Sequence, residues 1–360
     1  MSQTITFYPL GNAETCLFEL NDGNYLLFDY AQMNDGTPND NRYDIKADLE
    51  KIKRFRVVMF SHAHEDHVKG ASSFFYLDHA KKYQSDDRAK IDELWVSAAF
   101  ILDTNLDNES DAKILRNEAR YRLKEGYGVR VFAEPNELDS WLDEQGIDKE
   151  DVQGLFIHAG ETITLESVSD SIEFFVHAPF ADDTEEIQNK NDPSIVIQIR
   201  IQNGDTTTNI LITGDTPYQV LDKIVDVSKI QGNEDRLDWD IYDIPHHCSY
   251  TGLNEKTNEN KIEPTENVRW MLDRASIGAY MVASCDKITE KTSPPHLIAK
   301  HAYEKNTDKS ISFIATMEHI PDGEVKPTPV VFTIDNMGLT FKRSEKKQVY
   351  FNKPAPRAGR

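Results

Sequence analysis

The chain has 360 residues, 39% of them apolar and 28% charged, which supplies a sizeable core and excludes a disordered chain. Its net charge of -22 weighs against a broad, non-specific nucleic-acid surface, because such surfaces rest on clustered Lys and Arg, and leaves room for a narrow local site. No apolar run approaches the roughly 20 residues of a membrane span, and Cys16, Cys248 and Cys285 are too scattered for a disulfide framework or a Cys-based zinc site. No apolar leader precedes the first strand, so a cytoplasmic location is expected. Taken in chain order, Ile5-Thr6-Phe7-Tyr8 predicts a strand. Residues 16–20 and 25–30 predict a hairpin about the Asn21-Asp22-Gly23-Asn24 turn. A polar loop over 34–41 leads to helical spacing at 44–52. Arg56-Val57-Val58-Met59-Phe60 is a short apolar strand that ends at Ser61-His62.

Residues 71–150 are charged and read as a mostly helical insertion, a cap over one rim, with helices at 110–126 and 137–142. A lid that shapes substrate access is the sharper alternative. Strands return at 155–158, 162–165, 172–177, 194–201 and 208–213. A helix follows Pro217, and a strand over 239–244 ends at Pro245-His246-His247. A strand at 278–284, a helix at 296–304 and a hairpin about Asn336-Met337-Gly338 complete the pattern. Strands mixed with helices in two blocks fit an α/β chain, a four-layer α/β/β/α sandwich over 1–340, followed by a basic C-terminal tail at 341–360.

The segment Ser61-His62-Ala63-His64-Glu65-Asp66-His67 is an H-x-H-x-D-H string at a strand end. Imidazole and carboxylate together suit zinc and related divalent ions. Alternate residues of an extended segment point the same way, so His62 and His64 reach one ion. The turn into a helix then presents Asp66 and His67 to a second. His79, His158, His296, His301 and His319 lack such a context and read as surface or core residues.

This string resembles the signature of the metallo-β-lactamase superfamily. The resemblance implies a further His, a bridging Asp and a final His, each at a later strand end. His177 after Phe174-Phe175-Val176, Asp215 after Ile212-Thr213-Gly214, and one of His246-His247 after Ile244-Pro245 match in order and context, with His247 the preferred ligand. It implies two ions, zinc by default and manganese as the alternative. His62, His64 and His177 would hold one, Asp66, His67 and His247 the other, and Asp215 would bridge them. It also implies hydrolysis by a hydroxide held between the ions. Asp66, Asp215 and His246 would be the catalytic residues, the leaving group being stabilised by a metal or protonated by His246 or a bound water.

Within the superfamily the chain is similar to the ComEC-like metallohydrolase domain. The matching stretches are Phe7-Tyr8-Pro9-Leu10-Gly11-Asn12-Ala13-Glu14-Thr15, Asn191-Asp192-Pro193-Ser194-Ile195-Val196, Asp240-Ile241-Tyr242-Asp243-Ile244-Pro245-His246-His247-Cys248-Ser249 and, more loosely, Ser293-Pro294-Pro295-His296. Pro9, Glu14, Cys248 and His177 depart from that pattern, Cys248 filling a position where the family has glycine. What the likeness implies is a phosphodiesterase or nuclease acting on DNA or RNA. The basic run Lys51-Ile52-Lys53-Arg54-Phe55-Arg56 and the tail are its local support, and the acidic balance opposes it. A small-molecule hydrolase, acting on a cyclic nucleotide, another phosphodiester, a lactone or a thioester, fits the acidic surface better. A non-catalytic, metal-stabilised binding subunit is the third reading. In each case the acidic surface offers a dock for a basic partner protein.

Overall fold

A computed structural model of the protein describes residues 2–107, 110–165, 172–181, 194–255, 261–305 and 311–342. Nine strands form the first sheet: β1 (Gln3–Phe7), β2 (Cys16–Glu19), β3 (Tyr25–Phe28), β4 (Arg54–Phe60), β5 (Lys90–Ser97), β6 (Val129–Phe132), β7 (Phe156–Ile157), β15 (Val330–Asp335) and β16 (Gly338–Phe341). Seven form the second: β8 (Thr162–Thr164), β9 (Ile172–Ala178), β10 (Val196–Asn203), β11 (Thr206–Ile212), β12 (Trp239–Asp243), β13 (Ala275–Ala283) and β14 (Ser312–Ala315). The spatial orders are β16-β15-β1-β2-β3-β4-β5-β6-β7 and β14-β13-β12-β11-β10-β9-β8.

Alternation along the strands explains the layering. In β4, Val57 and Met59 face the second sheet, while Val58 and Phe60 face outward. Both sets are fully buried, as expected for a strand covered on both faces. The inner cluster joins Phe7, Phe28 and Trp95 to Phe174, Ile199, Ile210 and Ile241. A second cluster seals the first sheet against the helices Ile45–Leu49, Asp111–Glu125 and Asn136–Gln145. A third seals the second sheet against Tyr218–Gln231, Glu266–Leu272 and Leu297–Lys305. Three apolar layers between four structural ones make the α/β/β/α sandwich of the metallo-β-lactamase fold.

Residues 71–150 are not a cap on this body. They supply β5 and β6, which continue the parallel half of the first sheet beside β4. Their apolar cores, Leu94-Trp95-Val96 and Val129 with Val131-Phe132, are short and flanked by Asp92, Glu93 and Arg130, so the charged ends mask two buried strands. Helix Asp111–Glu125 is bolted to them: the Arg122 guanidinium donates to the carbonyls of Ile91 and Gly128 at 3.1 and 2.9 Å. The first sheet also runs one residue past the expected domain end, since Phe341 closes β16. The basic tail beyond Lys342 lies outside the described residues.

Each sheet changes from antiparallel to parallel pairing at one strand. That strand is β3, between β2 and β4, in the first sheet, and β11, between β10 and β12, in the second. In α/β sheets, ligands bind outside the carboxyl ends of the parallel strands. The chain ends of β3, β4, β11 and β12 are Asp29, Ser61-His62, Thr213-Gly214-Asp215 and Ile244-Pro245-His246-His247.

Candidate metal centre

The segment after β4 leaves the strand extended through His64, then turns through the short helix Glu65–Val68. His67 and Lys69 carbonyls accept from Tyr30 and Gln32 N–H at 3.0 and 2.8 Å, and Asp66 carbonyl accepts from Glu14 N–H at 3.1 Å. The donor loop is therefore clamped by the segments after β1 and β3. Gly214 brings the second sheet up to it. A Cβ there would lie 3.1 Å from Ser61 Cβ, and its φ of +52° is left-handed, so glycine alone suits the approach.

Three groups of donors result among the described residues. His62, His64 and Asp215 form one; Asp66, His67, Asp215 and His247 form a second; Glu14, Asp29 and His67 form a third, on the Nδ1 side of the His67 ring. His62 Nε2 lies 3.0 Å from His64 Nδ1 and 3.7 Å from Asp215 Oδ2. His67 Nε2 lies 3.2 Å from Asp215 Oδ1. His247 Nε2 lies 3.1 Å from Asp66 Oδ2 and 3.6 Å from Asp215 Oδ1. His62, His67, Asp215 and His247 are buried, whereas the Asp66 side chain is 31% exposed and opens the nest to solvent. His67 Nε2 and Asp215 Oδ1 are buried without a well-formed hydrogen bond, although they are neighbours. Orphaned donors of this kind, nitrogen beside carboxylate oxygen, are what a divalent ion satisfies, so these residues fit a pair of ions.

The electrostatics are those of a cation nest. Burial disfavours the charged form of His67, but Asp215 and Asp29 on either side outweigh it and hold the imidazole well above its usual range. His247 is likewise opposed by burial, yet Asp215 and Asp66 push it up to about 9. Burial opposes ionisation of Asp66 and Asp215 too, and the neighbouring imidazoles hold both below the usual carboxylate range. His62 is pushed well below by burial, then by His67.

Outside the nest, Asp29 Oδ2 meets His67 Nδ1 at 2.7 Å and accepts from Ser61 Oγ at 2.7 Å, while Oδ1 accepts from Ser61 N–H at 2.8 Å. His247 Nδ1 donates to the Ser284 carbonyl at 2.7 Å. Both contacts aim Nε2 inward. Glu14 and Asp243 are fully buried behind His67. Burial, then repulsion from Glu14, pushes the Asp243 carboxyl well above its usual range.

His177 is not part of the centre. On β9, Ile172, Phe174 and Val176 face the inner core, so the period of two turns Phe175 and His177 to the outer face. There His177 Nε2 meets the Arg236 carbonyl at 2.8 Å beside helix Tyr218–Gln231, in a cavity of about 520 Å³ also lined by His158, Phe175 and Gln231. Burial first pushes this imidazole down to about 4. His246 does reach the rim. It is 27% exposed, with Nε2 3.8 Å from Asp215 Oδ2 and Nδ1 3.1 Å from Thr251 Oγ1. His79 pairs with the buried Glu118 at 2.9 Å, a structural role. Asp29, Ser284 and Asp243 carried a signal that the sequence reading passed over. Each is a polar residue at the carboxyl end of an apolar strand, as His62 and Asp215 are.

The basic run 51–56 lies at the opposite end of β4 from His62, separated by the seven-residue strand, about 20 Å. Arg54 pairs with Asp92 at 2.7 Å and Arg56 with Glu93 at 3.8 Å, so neither is free to meet a polyanion at the centre.

No helix among the described residues is long and apolar enough to cross a membrane. No protein-family model matches the chain, and no curated protein matches it. Among solved structures it is similar to the metallo-β-lactamase GOB-18 from Elizabethkingia meningoseptica, at 14% identity over 84% of this chain and 87% of that one, with a TM-score of 0.32. It is similar to the class B3 di-zinc metallo-β-lactamase LRA-12 from an Alaskan soil metagenome, at 12% identity over 84% and 89%, TM-score 0.30. It is also similar to the FEZ-1 metallo-β-lactamase from Legionella gormanii, at 13% identity over 58% and 62%, TM-score 0.27.

Proposed function

We propose that the protein is a two-metal hydrolase of small phosphodiesters. The observation that carries this is the convergence of two donor groups, from two sheets, on the two oxygens of Asp215. His62, His64 and Asp215 would hold one ion; Asp66, His67, His247 and Asp215 the other. Zinc suits the imidazole-rich set, and manganese is compatible with it. Such ions, when bound, supply Lewis acidity and water of near-neutral pKa.

The protein's own contribution is positioning. Asp29 and the Ser284 carbonyl lock the rings of His67 and His247 through Nδ1. The buried floor of His62, His67 and Asp215 keeps bulk water out from below, and His64, Asp66 and His246 form the side that a substrate approaches. Charge selects the substrate class. Two divalent ions would still outweigh the Asp66, Asp215 and Asp29 carboxylates around them, which suits an anionic phosphodiester better than a neutral lactone. The placement of the 51–56 run away from the centre favours a small substrate over a long polyanion.

The test is hydrolysis of bis(p-nitrophenyl) phosphate, cyclic nucleotides and labelled DNA and RNA, with zinc or manganese and an Asp215→Ala control. Metal-dependent turnover of the small diesters, lost in the control, is the expected result. Strand cleavage at comparable kcat/KM would make the protein a nuclease. No turnover with both ions bound would leave a hydrolase of lactones or thioesters, or a metal-stabilised binding subunit.

A further inference from the structure

With His177 on the outer face of β9, His62 and His64 share only Asp215 as a third donor in their group. The next nitrogen is already at hand. Asp215 divides its neighbours by oxygen: Oδ1 faces His67 and His247 at 3.2 and 3.6 Å, and Oδ2 faces His62 and His246 at 3.7 and 3.8 Å. Two ligands on one tetrahedral ion, each about 2.1 Å from it, stand about 3.4 Å apart. His246 Nε2 is within a small side-chain adjustment of that spacing from Asp215 Oδ2, and a larger rotation would bring it up to the donor atoms of His62 and His64, outside whose 4.8 Å group it stands.

We infer that His246 is the last nitrogen ligand of the ion held by His62 and His64, so that two adjacent histidines serve different ions. This rests on the two-metal reading above. The backbone shows how neighbours are made to diverge. His246, His247 and Cys248 have φ of +51°, +52° and +62°. Left-handed conformation is disfavoured for every residue but glycine, so three in succession mark a segment held against its preference. What holds it is His246 N–H to the Gly214 carbonyl at 3.1 Å, Ser249 N–H to the His246 carbonyl at 2.8 Å and His296 N–H to the Cys248 carbonyl at 3.0 Å. The result sets the two imidazoles at 77° to each other, centroids 6.2 Å apart.

Thr251 fixes which nitrogen of His246 is available. Its hydroxyl donates to Ser249 Oγ at 2.9 Å, so toward His246 it accepts. Nδ1 therefore carries the proton, and Nε2, the atom facing Asp215 Oδ2, is a bare lone pair. His247 is arranged in the same way, with Nδ1 on the Ser284 carbonyl. An Nε2 that gives its lone pair to a metal carries no proton for a leaving group. His246 is thus a ligand in place of the proton donor that the motif resemblance implied, and Thr251 is a positioning residue.

The experiment measures bound metal by mass spectrometry after gel filtration and Co(II) affinity by absorbance. It compares wild type, His246→Ala, Thr251→Val and His177→Ala, with circular dichroism as the fold control. The wild type and His177→Ala should hold two ions. His246→Ala should hold one tightly. Thr251→Val, which keeps the packing, should bind the second ion about tenfold more weakly, and it carries the test if His246→Ala does not fold. Two ions at wild-type affinity in both His246→Ala and Thr251→Val would overturn the assignment and leave the two-metal reading standing. Loss of an ion in His177→Ala, with none lost in His246→Ala, would overturn it equally. A wild type that binds no ion would remove both.

Discussion

Asp29 and His67 meet at 2.7 Å, carboxylate oxygen to Nδ1, with both groups buried. The same carboxylate accepts from Ser61 N–H and Oγ, so one side chain at the end of β3 sets the exit of β4 and the ring angle of His67. Removing such an outer partner typically costs 10–100-fold in metal affinity. Asp29→Asn should lower affinity for the ion at His67 by about that factor. Competition with a chromophoric chelator measures it, and affinity unchanged from wild type would show that the ring is held by packing alone.

Chelation should lower thermal stability. The ions satisfy His67 Nε2 and Asp215 Oδ1, which are otherwise buried without good partners. An ion present at a hundred times its Kd adds about 2.7 kcal/mol. Scanning calorimetry with and without a chelator should show Tm falling by several degrees and recovering when zinc is restored.

Gly214→Ala should separate the sheets at the centre. The new Cβ would press on Ser61 Cβ at 3.1 Å in a left-handed conformation. The conformational part costs about 1 kcal/mol, and the contact adds to it. Urea unfolding of the metal-free protein should report the loss, together with weaker metal binding, because Asp215 follows directly.

Acid should unlatch the helix Asp111–Glu125. Burial opposes ionisation of Glu118, but His79, Arg122 and backbone N–H hold its carboxyl down to about 2. A lowered carboxylate pKa contributes stability above the unfolded value near 4.5, and that stability is lost as pH falls through about 2. The contribution is on the order of 3 kcal/mol. In metal-free protein, Glu118→Gln should be less stable than wild type at pH 7, with the gap narrowing between pH 4.5 and 2.

The strand ends of the centre were legible because chemistry follows apolar runs there. The strings Val57-Val58-Met59-Phe60, Leu211-Ile212 and Ile241-Tyr242 each lead to donors that the structure brings together. The misplacement of His177 has a simple origin. Phe174, Phe175 and Val176 are all apolar, so the sequence does not reveal which parity faces the core, and one residue of phase reverses the side of a histidine. The strands β5 and β6 were hidden by their charged amino-terminal ends. The basic run at 51–56 was visible, but only the direction of β4 shows that it points away from the centre.

The division of donors between sheets has a consequence for biosynthesis. Asp29, His62, His64, Asp66 and His67 come from the first seven strands, while Asp215, His246 and His247 come from the second sheet. A chain emerging from the ribosome carries half a binding site until residue 247 is free. On the two-metal reading, ion capture would come late in folding, because the first sheet is itself completed by β15 and β16, which are made after the second sheet.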